Sequence, residues 1–389
     1  MVSKTPPVVL PGCKSVSQRS LMVACLSKGT TVLQGLSDCQ DTRDLKAALT
    51  HLGAGFQSKP DGGLEIQGWG GVPESISGRV DVGEGGSTLR FLLALCAASV
   101  GEVEFCGSER LLERNHQPLL DFLNSHGVEV KKTSPSTLHM RTQGFPAGTW
   151  QLPGEGSSQF ASGLWMVSRA CADVEIQAPS HLASLGYFKL TQSVAETMAP
   201  DGTLIGKFEI PADASAATFF LAASFLTGNK VTFSTPVSAA HPETRSHKLF
   251  SQWQGCSTSE PLFCHVDSFP DAAPALSLCG ANHPGGMEMS GIERLRDKES
   301  DRVQGMIDLM NVLGIESEIR ETRNGQLLWI AGGGIPRVEG KFNPRDDHRL
   351  AMSAGIANLL AHGIQIQNPE CETKSFPGFR KTLEAWWTA

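Results

Sequence analysis

The feature that most constrains the fold is a unit of helix, strand and helix that recurs six times along the 389 residues. Each copy begins with a polar or charged segment, continues into an apolar run rich in small residues and then into a short strand-like segment, and a second helix follows in most copies. The strand-like segments begin near residues 29, 101, 173, 228, 286 and 363, so they are 55 to 77 residues apart. Solenoid repeats are shorter, roughly 20 to 50 residues. Six αβ units in two sets of three therefore fit the spacing better than a solenoid.

The apolar runs predict buried helices. Runs such as FLLALCAASVG after Arg90 and AATFFLAASFLTG after Ser215 are apolar nearly all round, which is typical of a helix at the centre of a domain. The strand-like segments EVEFCG and IQIQN alternate in the antiparallel style, so each should have one covered face. In the fourth copy the strand is predicted at KVTFS, residues 230–234. We therefore expect an α/β protein (α+β in some classifications) with sheets and outer helices around buried helices.

Composition restricts the classes of partner. The 33 basic and 40 acidic residues give a formal charge of −7, so there is no global basic field for nucleic acid or an anionic membrane, and any anion site must be a local cluster. The ten cysteines are scattered without a C-x-x-C pair, and His and Cys show no zinc-ligand spacing, so no metal is expected. The N-terminus has no signal-like apolar segment, and the apolar runs are too short to cross a bilayer. These features predict a cytoplasmic protein with reduced thiols.

Polar residues lie where the buried helices are predicted to begin, and several of them are cations. A helix N-terminus offers unpaired N–H groups and partial positive charge, which favour anions. Ser157, Ser215 and Asp271 are explained as simple caps. Cations are not, because they are disfavoured at a helix N-terminus unless an anion offsets them; those found here are Lys14, Arg19, Arg90, Lys298 and Arg349. Their recurrence predicts a small substrate with several negative charges.

The segment Arg294–Arg302 has seven charged residues among nine and precedes an apolar helical pattern. The residues alone allow two interpretations. On a continuous helix the segment is a solvated face with three ion pairs at a spacing of three residues: Arg294 with Asp297, Lys298 with Asp301, and Glu299 with Arg302. Alternatively, Lys298 and Arg302 share a helical face, where they repel each other, and a bound anion would explain them.

A series of motifs resembles the EPSP synthase family, the 3-phosphoshikimate 1-carboxyvinyltransferases, which belong to the enolpyruvyl transferases. The motifs extend from about Val9 to Phe379 and are PGCKSVSQR, EGGSTLR, LLERNHQPL, SSQF, RLRDKESDR, DDHRLAM and KSFPGF. The resemblance implies two domains, each with three βαβαββ units around buried helices in an inside-out α/β barrel. For this chain it implies one discontinuous domain of residues 1–11 and 212–389, a second domain of residues 12–211, and two crossover segments that form a hinge.

The resemblance also implies the reaction, which is transfer of the carboxyvinyl group of phosphoenolpyruvate to the 5-hydroxyl of shikimate 3-phosphate, with release of phosphate, in the shikimate pathway to chorismate and the aromatic amino acids. Both substrates carry a phosphate and a carboxylate, which Arg can bind in a bidentate manner and Lys can meet as a mobile charge. The ligands implied for shikimate 3-phosphate are Lys14, Ser15, Arg19, Ser157, Ser158, Gln159, Ser184, Asp271 and Lys298. Those implied for phosphoenolpyruvate are Lys14, Gly86, Arg114, Gln159, Arg302, Arg349 and Lys374. Weaker candidates are Tyr187, Arg90 and Arg294.

The same resemblance assigns the catalytic role to three residues. Addition to the enol double bond needs a proton delivered to the methylene carbon and another taken from the attacking hydroxyl, and two carboxylates in different environments can divide these duties. Asp271 resembles the base at the 5-hydroxyl, Glu299 resembles the group that exchanges the methyl proton, and Lys14 is a further candidate acid. Spacing does not decide which of the three moves which proton. No cofactor or metal is implied, since Arg and Lys meet the developing charge, and we expect a monomer.

Several positions differ from the commonest family pattern. They are Cys13 in place of Ser, Gln18 in place of Asn, Gly85 in place of another small residue, Asn115 in place of the Pro that follows the Arg, and Arg294 where some members have Asn. None of these differences removes a charged residue from the implied site. Gly86 retains the small residue that is associated with sensitivity to glyphosate.

Two alternatives predict different features. The sister enzyme that transfers enolpyruvyl to UDP-N-acetylglucosamine typically begins with a Lys-Asn pair and has a reactive loop cysteine. Here Lys14 is followed by Ser15, and the region after Glu104 offers only Cys106. A non-catalytic phosphometabolite-binding homologue would not need the three proton carriers, and the charge of −7 argues against a relative that processes RNA ends.

Overall fold

The chain divides into two compact units. The computed structural model describes residues 6–152, 154, 157–171, 173–177, 182, 184–254, 256, 260–323 and 325–388. Packing groups Gly12–Pro211 into one unit and Met1–Pro11 with Ala212–Ala389 into the other. We call the first the continuous unit and the second the split unit.

The described part of the continuous unit contains helices and strands in an alternating order. The helices are α1 (Lys14–Leu26), α2 (Gln40–His51), α3 (Gly86–Ala97), α4 (Glu109–Glu113), α5 (Gln117–Ser125), α6 (Ser158–Ser168) and α7 (Leu185–Met198). The strands are β1 (Thr30–Gln34), β2 (Gly55–Ser58), β3 (Leu64–Gln67), β4 (Ser75–Ile76), β5 (Arg79–Gly83), β6 (Val100–Gly107), β7 (Glu129–Ser134), β8 (Thr137–Gln143), β9 (Gly148–Gln151), β10 (Val174–Gln177) and β11 (Lys207–Glu209).

The described part of the split unit repeats this alternation. Its helices are α8 (Ala214–Thr227), α9 (Thr244–Trp253), α10 (Ala273–Asn282), α11 (Arg302–Val312), α12 (His348–Ala361) and α13 (Phe379–Trp387), with 3₁₀ helices at Glu293–Asp297 and Pro369–Lys374. Its strands are β12 (Leu262–His265), β13 (Met287–Ser290), β14 (Ser317–Thr322), β15 (Gly325–Ile330), β16 (Gly340–Phe342) and β17 (Ile364–Ile366). Among the described residues, no helix is both long and apolar enough to cross a membrane.

The sheets follow one topology. In the continuous unit β5 lies parallel to β6 across α3, and β6 continues into the antiparallel pair β8 and β7. In the split unit β12 lies parallel to β13 across α10, and β13 continues into the antiparallel pair β15 and β14. Each set has the order βαβαββ. The strands β9 and β10 form a further parallel pair, as do β16 and β17, and each of these two pairs is a two-stranded sheet.

Three apolar helices form the centre of each unit, as the sequence predicts. Helices α1, α3 and α6 pack on one another in the continuous unit, and α8, α10 and α12 do so in the split unit. Every residue of α3 except Ser87 is buried. Small residues allow these close contacts, since a Cβ at Gly163 of α6 would lie 3.2 Å from the Cβ of Ala94. A helix with neighbours on all sides requires apolar residues on all sides, which explains the composition of these runs.

The strand predicted at residues 230–234 is wrong. This segment forms only an isolated parallel bridge between Phe233 and Val8. The N–H of Val8 donates to the carbonyl of Thr232 at 2.8 Å, and Val8 accepts from the N–H of Ser234 at 3.0 Å. The ladder cannot extend towards the N-terminus because Pro6 and Pro7 have no N–H to donate.

The antiparallel style expected for the strands is only partly correct. Every sheet of the described residues contains a parallel pair, and β17, which covers the first three residues of IQIQN, pairs with β16 in parallel. The alternation has another cause, which is that the central helices cover one face of each sheet. The described strands form five separate sheets and not a closed barrel.

Candidate functional site

Arg302 is the centre of a charged cluster in the split unit, which consists of Asp271, Glu299, Arg302, Asp347 and Arg349. It is the first residue of α11, and its side chain is 1% exposed. It donates to three carboxylates at 2.8 Å each: Nη1 to Asp271 Oδ1, Nη2 to Glu299 Oε2 and Nε to Asp347 Oδ2. Burial lowers the pKa of Arg302, but the three carboxylates outweigh it and hold the pKa well above its usual value. One guanidinium therefore contacts both carboxylates implied as proton carriers.

Asp271 lies two residues before α10 and contacts a second arginine. Its Oδ2 accepts from Nη2 of Arg349 at 3.0 Å, and its backbone N–H donates to Oε1 of Glu243 at 3.3 Å. Burial raises the pKa of Asp271, but the charges of Arg349, Arg302 and Lys298 together lower it further, so the net pKa lies well below the usual value. Asp271 is therefore ionised, and the cations around it suppress its basicity.

Asp347 fixes the start of α12. As the N-cap of this helix it accepts the N–H of Arg349 on Oδ1 at 2.8 Å. Its Oδ2 accepts from the hydroxyl of Ser300 at 3.2 Å as well as from Nε of Arg302. The side chain is fully buried, so both carboxylate oxygens are used inside the protein. Asp347 thus links the first residues of α11 and α12.

The continuous helix considered for Arg294–Arg302 is wrong. Glu293–Asp297 form a 3₁₀ helix, Lys298 has an extended backbone, and α11 begins only at Arg302. The N-cap is Asp301, whose carboxylate accepts an N–H from the first turn of α11. This cap satisfies a donor that would be unpaired at the helix start, and it leaves most of the charged run outside the helix.

The side chains of this segment form one ion pair that the sequence predicts and two that it does not indicate. Glu299 contacts Arg302 as predicted, whereas Arg294 contacts Asp267 at 3.0 Å and Arg296 contacts Asp301 at 3.1 Å. Lys298 and Arg302 do not share a helical face, because Lys298 precedes the helix. Burial lowers the pKa of Lys298 to about 8, against the opposing charge of Asp271.

Lys374 lies at the end of the second 3₁₀ helix. Its Nζ donates to the backbone oxygen of Asp346 at 2.7 Å. Asp346 lies three residues before Arg349 in the sequence. The split unit therefore holds one implied phosphoenolpyruvate ligand, Lys374, on the segment that leads to another, Arg349.

In the continuous unit, Lys14 is the first residue of α1 and pairs with the first turn of α2. Its Nζ is 2.8 Å from Oδ2 of Asp41, and each side chain is 13% exposed. The buried Gln18 donates to the backbone oxygen of Asp41 and to the hydroxyl of Thr88, both at 3.2 Å. Cys13 is the N-cap of α1 and is buried. Cys13 and Gln18, two positions that differ from the family pattern, thus lie next to Lys14 in the sequence and next to its partner Asp41, respectively.

Arg90 and Gln159 form a second group in this unit. Nη1 of Arg90 donates to Oε1 of Gln159 at 2.6 Å, and Nε2 of Gln159 donates to the hydroxyl of Ser87 at 2.7 Å. Ser157 is the N-cap of α6 and accepts the N–H of Gln159 at 3.3 Å, and Ser158 is the first residue of that helix. Three implied ligands, Ser157, Ser158 and Gln159, therefore lie at one helix start, where Arg90 fixes the orientation of the glutamine amide.

Gly86 allows a guanidinium to approach the start of α3. A Cβ at this position would lie 2.7 Å from Nη1 of Arg114 and 3.1 Å from its Cζ, closer than van der Waals contact allows. Arg90 lies next to the same segment, since its Nε is 3.3 Å from Nδ1 of His116 and its Nη2 is 3.3 Å from the carbonyl of Asn115. Burial and the charge of Arg90 lower the pKa of His116 to about 3, so this histidine is neutral.

Arg19 connects α1 to α7. Its Nε donates to the hydroxyl of Thr191 at 2.7 Å, and its Nη1 and Nη2 donate to the carbonyls of Ser15 at 2.9 Å and Tyr187 at 3.4 Å. Burial lowers the pKa of Arg19 to about 10. Ser184 is the N-cap of α7 and has a left-handed backbone with φ of 52°. The structure therefore brings Arg19, Ser15 and Tyr187 together and places Ser184 at the start of the same helix as Tyr187.

The family model for EPSP synthase (3-phosphoshikimate 1-carboxyvinyltransferase) matches residues 5–236 and 243–383. The chain belongs to the EPSP synthase family. The family was predicted from the motifs, and this match confirms it.

Curated relatives and solved structures agree with this membership. The 3-phosphoshikimate 1-carboxyvinyltransferase of Rhizobium leguminosarum bv. trifolii is 29% identical over 402 residues, which cover 96% of this chain and 93% of that protein. The one from Pseudomonas syringae pv. syringae is 30% identical over 398 residues, with the same coverage of both proteins.

Among solved structures, EPSP synthase from Acinetobacter baumannii superimposes with a TM-score of 0.72 at 22% identity, covering 97% of this chain and 95% of that one. The enolpyruvyl transferase NikO from Streptomyces tendae gives 0.69 at 14% identity, covering 97% and 94%. At such identities the likeness shows the fold alone. It confirms the predicted α/β fold of the enolpyruvyl transferases.

Several residues of this family member have contacts that the sequence reasoning missed. Asp41, His116 and Glu243 reach the site residues from distant parts of the chain, and no local pattern indicates such contacts. Asp347 did carry a signal, since an acidic residue directly before the apolar run LAMSAGIANLL is typical of an N-cap. Its second role, as the acceptor for Arg302, depends on the tertiary fold.

Proposed function

We propose that this chain transfers the carboxyvinyl group of phosphoenolpyruvate to the 5-hydroxyl of shikimate 3-phosphate, giving 5-enolpyruvylshikimate 3-phosphate and phosphate. Membership of the EPSP synthase family supports this activity. The observation that supports this activity at the level of individual residues is the contact of Arg302 with Asp271 and Glu299. A substrate anion that binds this guanidinium lies beside both candidate proton carriers.

The reaction requires two proton transfers before phosphate leaves. The 5-hydroxyl oxygen bonds to C2 of phosphoenolpyruvate while its proton passes to a base, and C3 receives a proton and becomes a methyl group. Loss of phosphate and of one methyl proton then restores the double bond. We assign the hydroxyl proton to Asp271 and the proton at C3 to Glu299, and we place Lys14 among the groups that stabilise the departing phosphate.

Substrate binding would activate Asp271. Before substrate binds, Arg349 and Arg302 each donate to its carboxylate, so its pKa is held well below the usual value and it is a weak base. Anionic groups of phosphoenolpyruvate on the two arginines would offset part of their charge. The pKa of Asp271 would then rise, because nearby cations are what depress it. The base would therefore gain strength only when the co-substrate is present.

The remaining implied ligands divide between the two units. In the split unit Arg302, Arg349 and Lys374 would bind phosphoenolpyruvate, and Lys298 with Asp271 would bind shikimate 3-phosphate. In the continuous unit the proposed phosphoenolpyruvate ligands are Lys14, Gly86, Arg114 and Gln159, and the proposed shikimate 3-phosphate ligands are Lys14, Ser15, Arg19, Ser157, Ser158, Gln159 and Ser184. Arg90 would act by holding Gln159, and its 2.6 Å hydrogen bond supports that role.

Release of phosphate tests the activity. We expect the purified chain to release phosphate from phosphoenolpyruvate when shikimate 3-phosphate is supplied and to release none without an acceptor. UDP-N-acetylglucosamine serves as the control acceptor, since the sister enzyme would use it. Equal turnover with that acceptor, or no turnover with either one, would refute the proposed reaction.

Asp271→Asn tests the role of the base. The amide keeps the size of the side chain but cannot accept the hydroxyl proton, so we expect shikimate 3-phosphate to bind while kcat falls by about 10²-fold to 10⁴-fold. Isothermal titration calorimetry would measure binding, and phosphate release would measure kcat. An undiminished kcat would remove Asp271 from the mechanism.

We also propose that the protein is cytoplasmic and monomeric. Its ten cysteines are all free thiols and eight of them are buried, which supports a reducing compartment. Light scattering after size exclusion should give the mass of one chain, 41.6 kDa. A mass of twice that value would contradict the monomer.

A further inference from the structure

Strained backbone is concentrated around Lys374. Among the described residues, five that are not glycine have a positive φ, and three of them lie beside this lysine: Arg345 at 54°, Asp346 at 58° and Asn368 at 40°. The left-handed conformation is unfavourable for most residues that carry a Cβ, although Asn and Asp tolerate it best, and surrounding contacts help to hold it. Such clusters are typical of functional sites.

The first strained pair is held from two sides. The N–H of Arg345 donates to the side-chain oxygen of Asn343 at 2.8 Å. Its guanidinium contacts the carboxylate of Asp308 on α11, with Nη2 2.6 Å from Oδ2. These contacts fix the loop that leads from β16 to Asp347, the N-cap of α12.

Asp346 then holds both ends of the 3₁₀ helix that carries Lys374. At the start of this helix, the side-chain amide of its N-cap Asn368 donates to the Asp346 carboxylate. At the end, Nζ of Lys374 donates to the backbone oxygen of Asp346 at 2.7 Å. Both residues that make the first contact, Asp346 and Asn368, have a left-handed backbone.

This arrangement restrains the amine of Lys374. The carbonyl of Asp346 accepts one N–H of the ammonium group. A lysine side chain is otherwise flexible and loses rotamer entropy when it binds. Holding the amine in place before the substrate arrives removes part of that cost.

We propose that Asn368 and Asp346 are positioning residues that set Nζ of Lys374 for phosphoenolpyruvate. The amide of Asn368 fixes the carboxylate and backbone of Asp346, and the backbone oxygen of Asp346 fixes the lysine. This inference rests on the proposed function of Lys374 as a phosphoenolpyruvate ligand. It adds two residues that do not themselves touch the substrate.

Substitutions at Asn368 test the proposal. Asn368→Gly keeps the left-handed backbone but removes the amide, and Asn368→Asp keeps the shape but places a carboxylate against that of Asp346. We expect KM for phosphoenolpyruvate to rise about 3-fold in the first variant and about 10-fold in the second, the range that one hydrogen bond covers. The kcat and the KM for shikimate 3-phosphate should remain within about 2-fold. Unchanged KM for phosphoenolpyruvate in both variants would overturn the proposal.

His362→Gly is the matched control. His362 is also exposed and left-handed, with φ of 62°, but it caps the opposite end of α12. This substitution changes a strained surface position of the same helix without touching the Asp346 contacts. It should leave both KM values unchanged, and an equal rise of KM in this variant would mean that the effect is general to the helix.

A double-mutant cycle with Lys374→Met separates positioning from a structural effect. If Asn368 acts through the amine, Asn368→Asp should raise KM for phosphoenolpyruvate in the wild-type background and have almost no further effect beside Lys374→Met. Equal effects in the two backgrounds would refute the coupling.

The rate at which acetic anhydride modifies Lys374, measured by mass spectrometry on the full chain, gives a readout that needs no turnover. We expect Asn368→Asp to change this rate at Lys374 and not at Lys28, an exposed lysine of the other unit. If the wild-type protein fails to release phosphate, the proposed function fails, while this labelling experiment still decides whether Asn368 positions the amine. An unchanged labelling rate would overturn the positioning role.

Discussion

Asp347→Asn is the substitution that most directly probes how the charged cluster is held together. The carboxylate is fully buried, and its two oxygens accept three donors, which are Nε of Arg302, the hydroxyl of Ser300 and the N–H of Arg349. Asparagine has the same shape but only one acceptor oxygen. Whichever way its amide turns, an NH₂ group faces at least one donor, and Arg302 loses one of its three negative partners.

The expected cost follows from these contacts. Removing one partner of a buried ion pair typically costs about 3–5 kcal/mol when the remaining charge is left uncompensated. Here Asp271 and Glu299 still compensate Arg302, and asparagine can still cap the helix, so the cost should lie at the lower end of this range. We expect a total of about 3 kcal/mol. For a folding unit of this size, that loss should lower the Tm by about 6–12 °C.

The assay pairs thermal unfolding with kinetics, and Asp301→Asn serves as the control. Asp301 is the N-cap of the neighbouring helix, and its side chain is 33% exposed. Asparagine caps a helix about as well as aspartate, so this substitution should cost at most about 1 kcal/mol, through the exposed ion pair with Arg296. Asp347→Asn should also raise KM for phosphoenolpyruvate, because Arg302 and Arg349 lose their common anchor. Equal shifts of Tm in the two variants, or an unchanged KM in Asp347→Asn, would refute the view that Asp347 organises the cluster.

Three further predictions concern other parts of the chain. Gly86→Ala places a methyl group 2.7 Å from the Arg114 guanidinium. KM for phosphoenolpyruvate should therefore rise about 10-fold while KM for shikimate 3-phosphate stays within about 2-fold. Steady-state kinetics with both substrates would measure the two values, and any other pattern would contradict the prediction. Because the pKa of Lys298 is about 8, kcat/KM for shikimate 3-phosphate should fall as pH rises through 8 and the ammonium loses its proton. Lys298→Arg should move that fall above pH 10. Identical pH profiles of the two proteins would contradict the role of Lys298. Finally, Cys256 is the one exposed cysteine, so Ellman's reagent should modify a single thiol rapidly in the native protein, and Cys256→Ser should abolish the fast phase.

The helices at the centre of each unit were predictable because their amino-acid composition reflects how completely they are buried. A run such as LAMSAGIANLLAHG is apolar on every side, and only a helix packed on all sides requires that. The polar residues at the helix starts were predictable for a similar reason, since capping depends on neighbours within one turn.

The segment around Lys298 could not be predicted in the same way. A charged run with pairs three residues apart is compatible with a helix, and only the cap formed by Asp301 and the burial of Arg302 decide that the helix begins later. The missing strand at residues 230–234 has an equally distant cause, because its partner is Val8 and the prolines beside Val8 stop the ladder. The contact of Lys14 with Asp41 likewise joins two helix starts that are 27 residues apart.

The measurement that tests the central claim most directly is the reaction in D₂O, with the product analysed by mass spectrometry. Protonation at C3 followed by loss of one methyl proton requires that solvent deuterium enter the vinyl group of the product. We predict that 5-enolpyruvylshikimate 3-phosphate forms only when both substrates are present. Its mass should be raised by deuterium bound to the methylene carbon of the vinyl group. A product without deuterium would contradict the proton transfers assigned to the charged cluster, and the absence of any such product would contradict the proposed reaction itself.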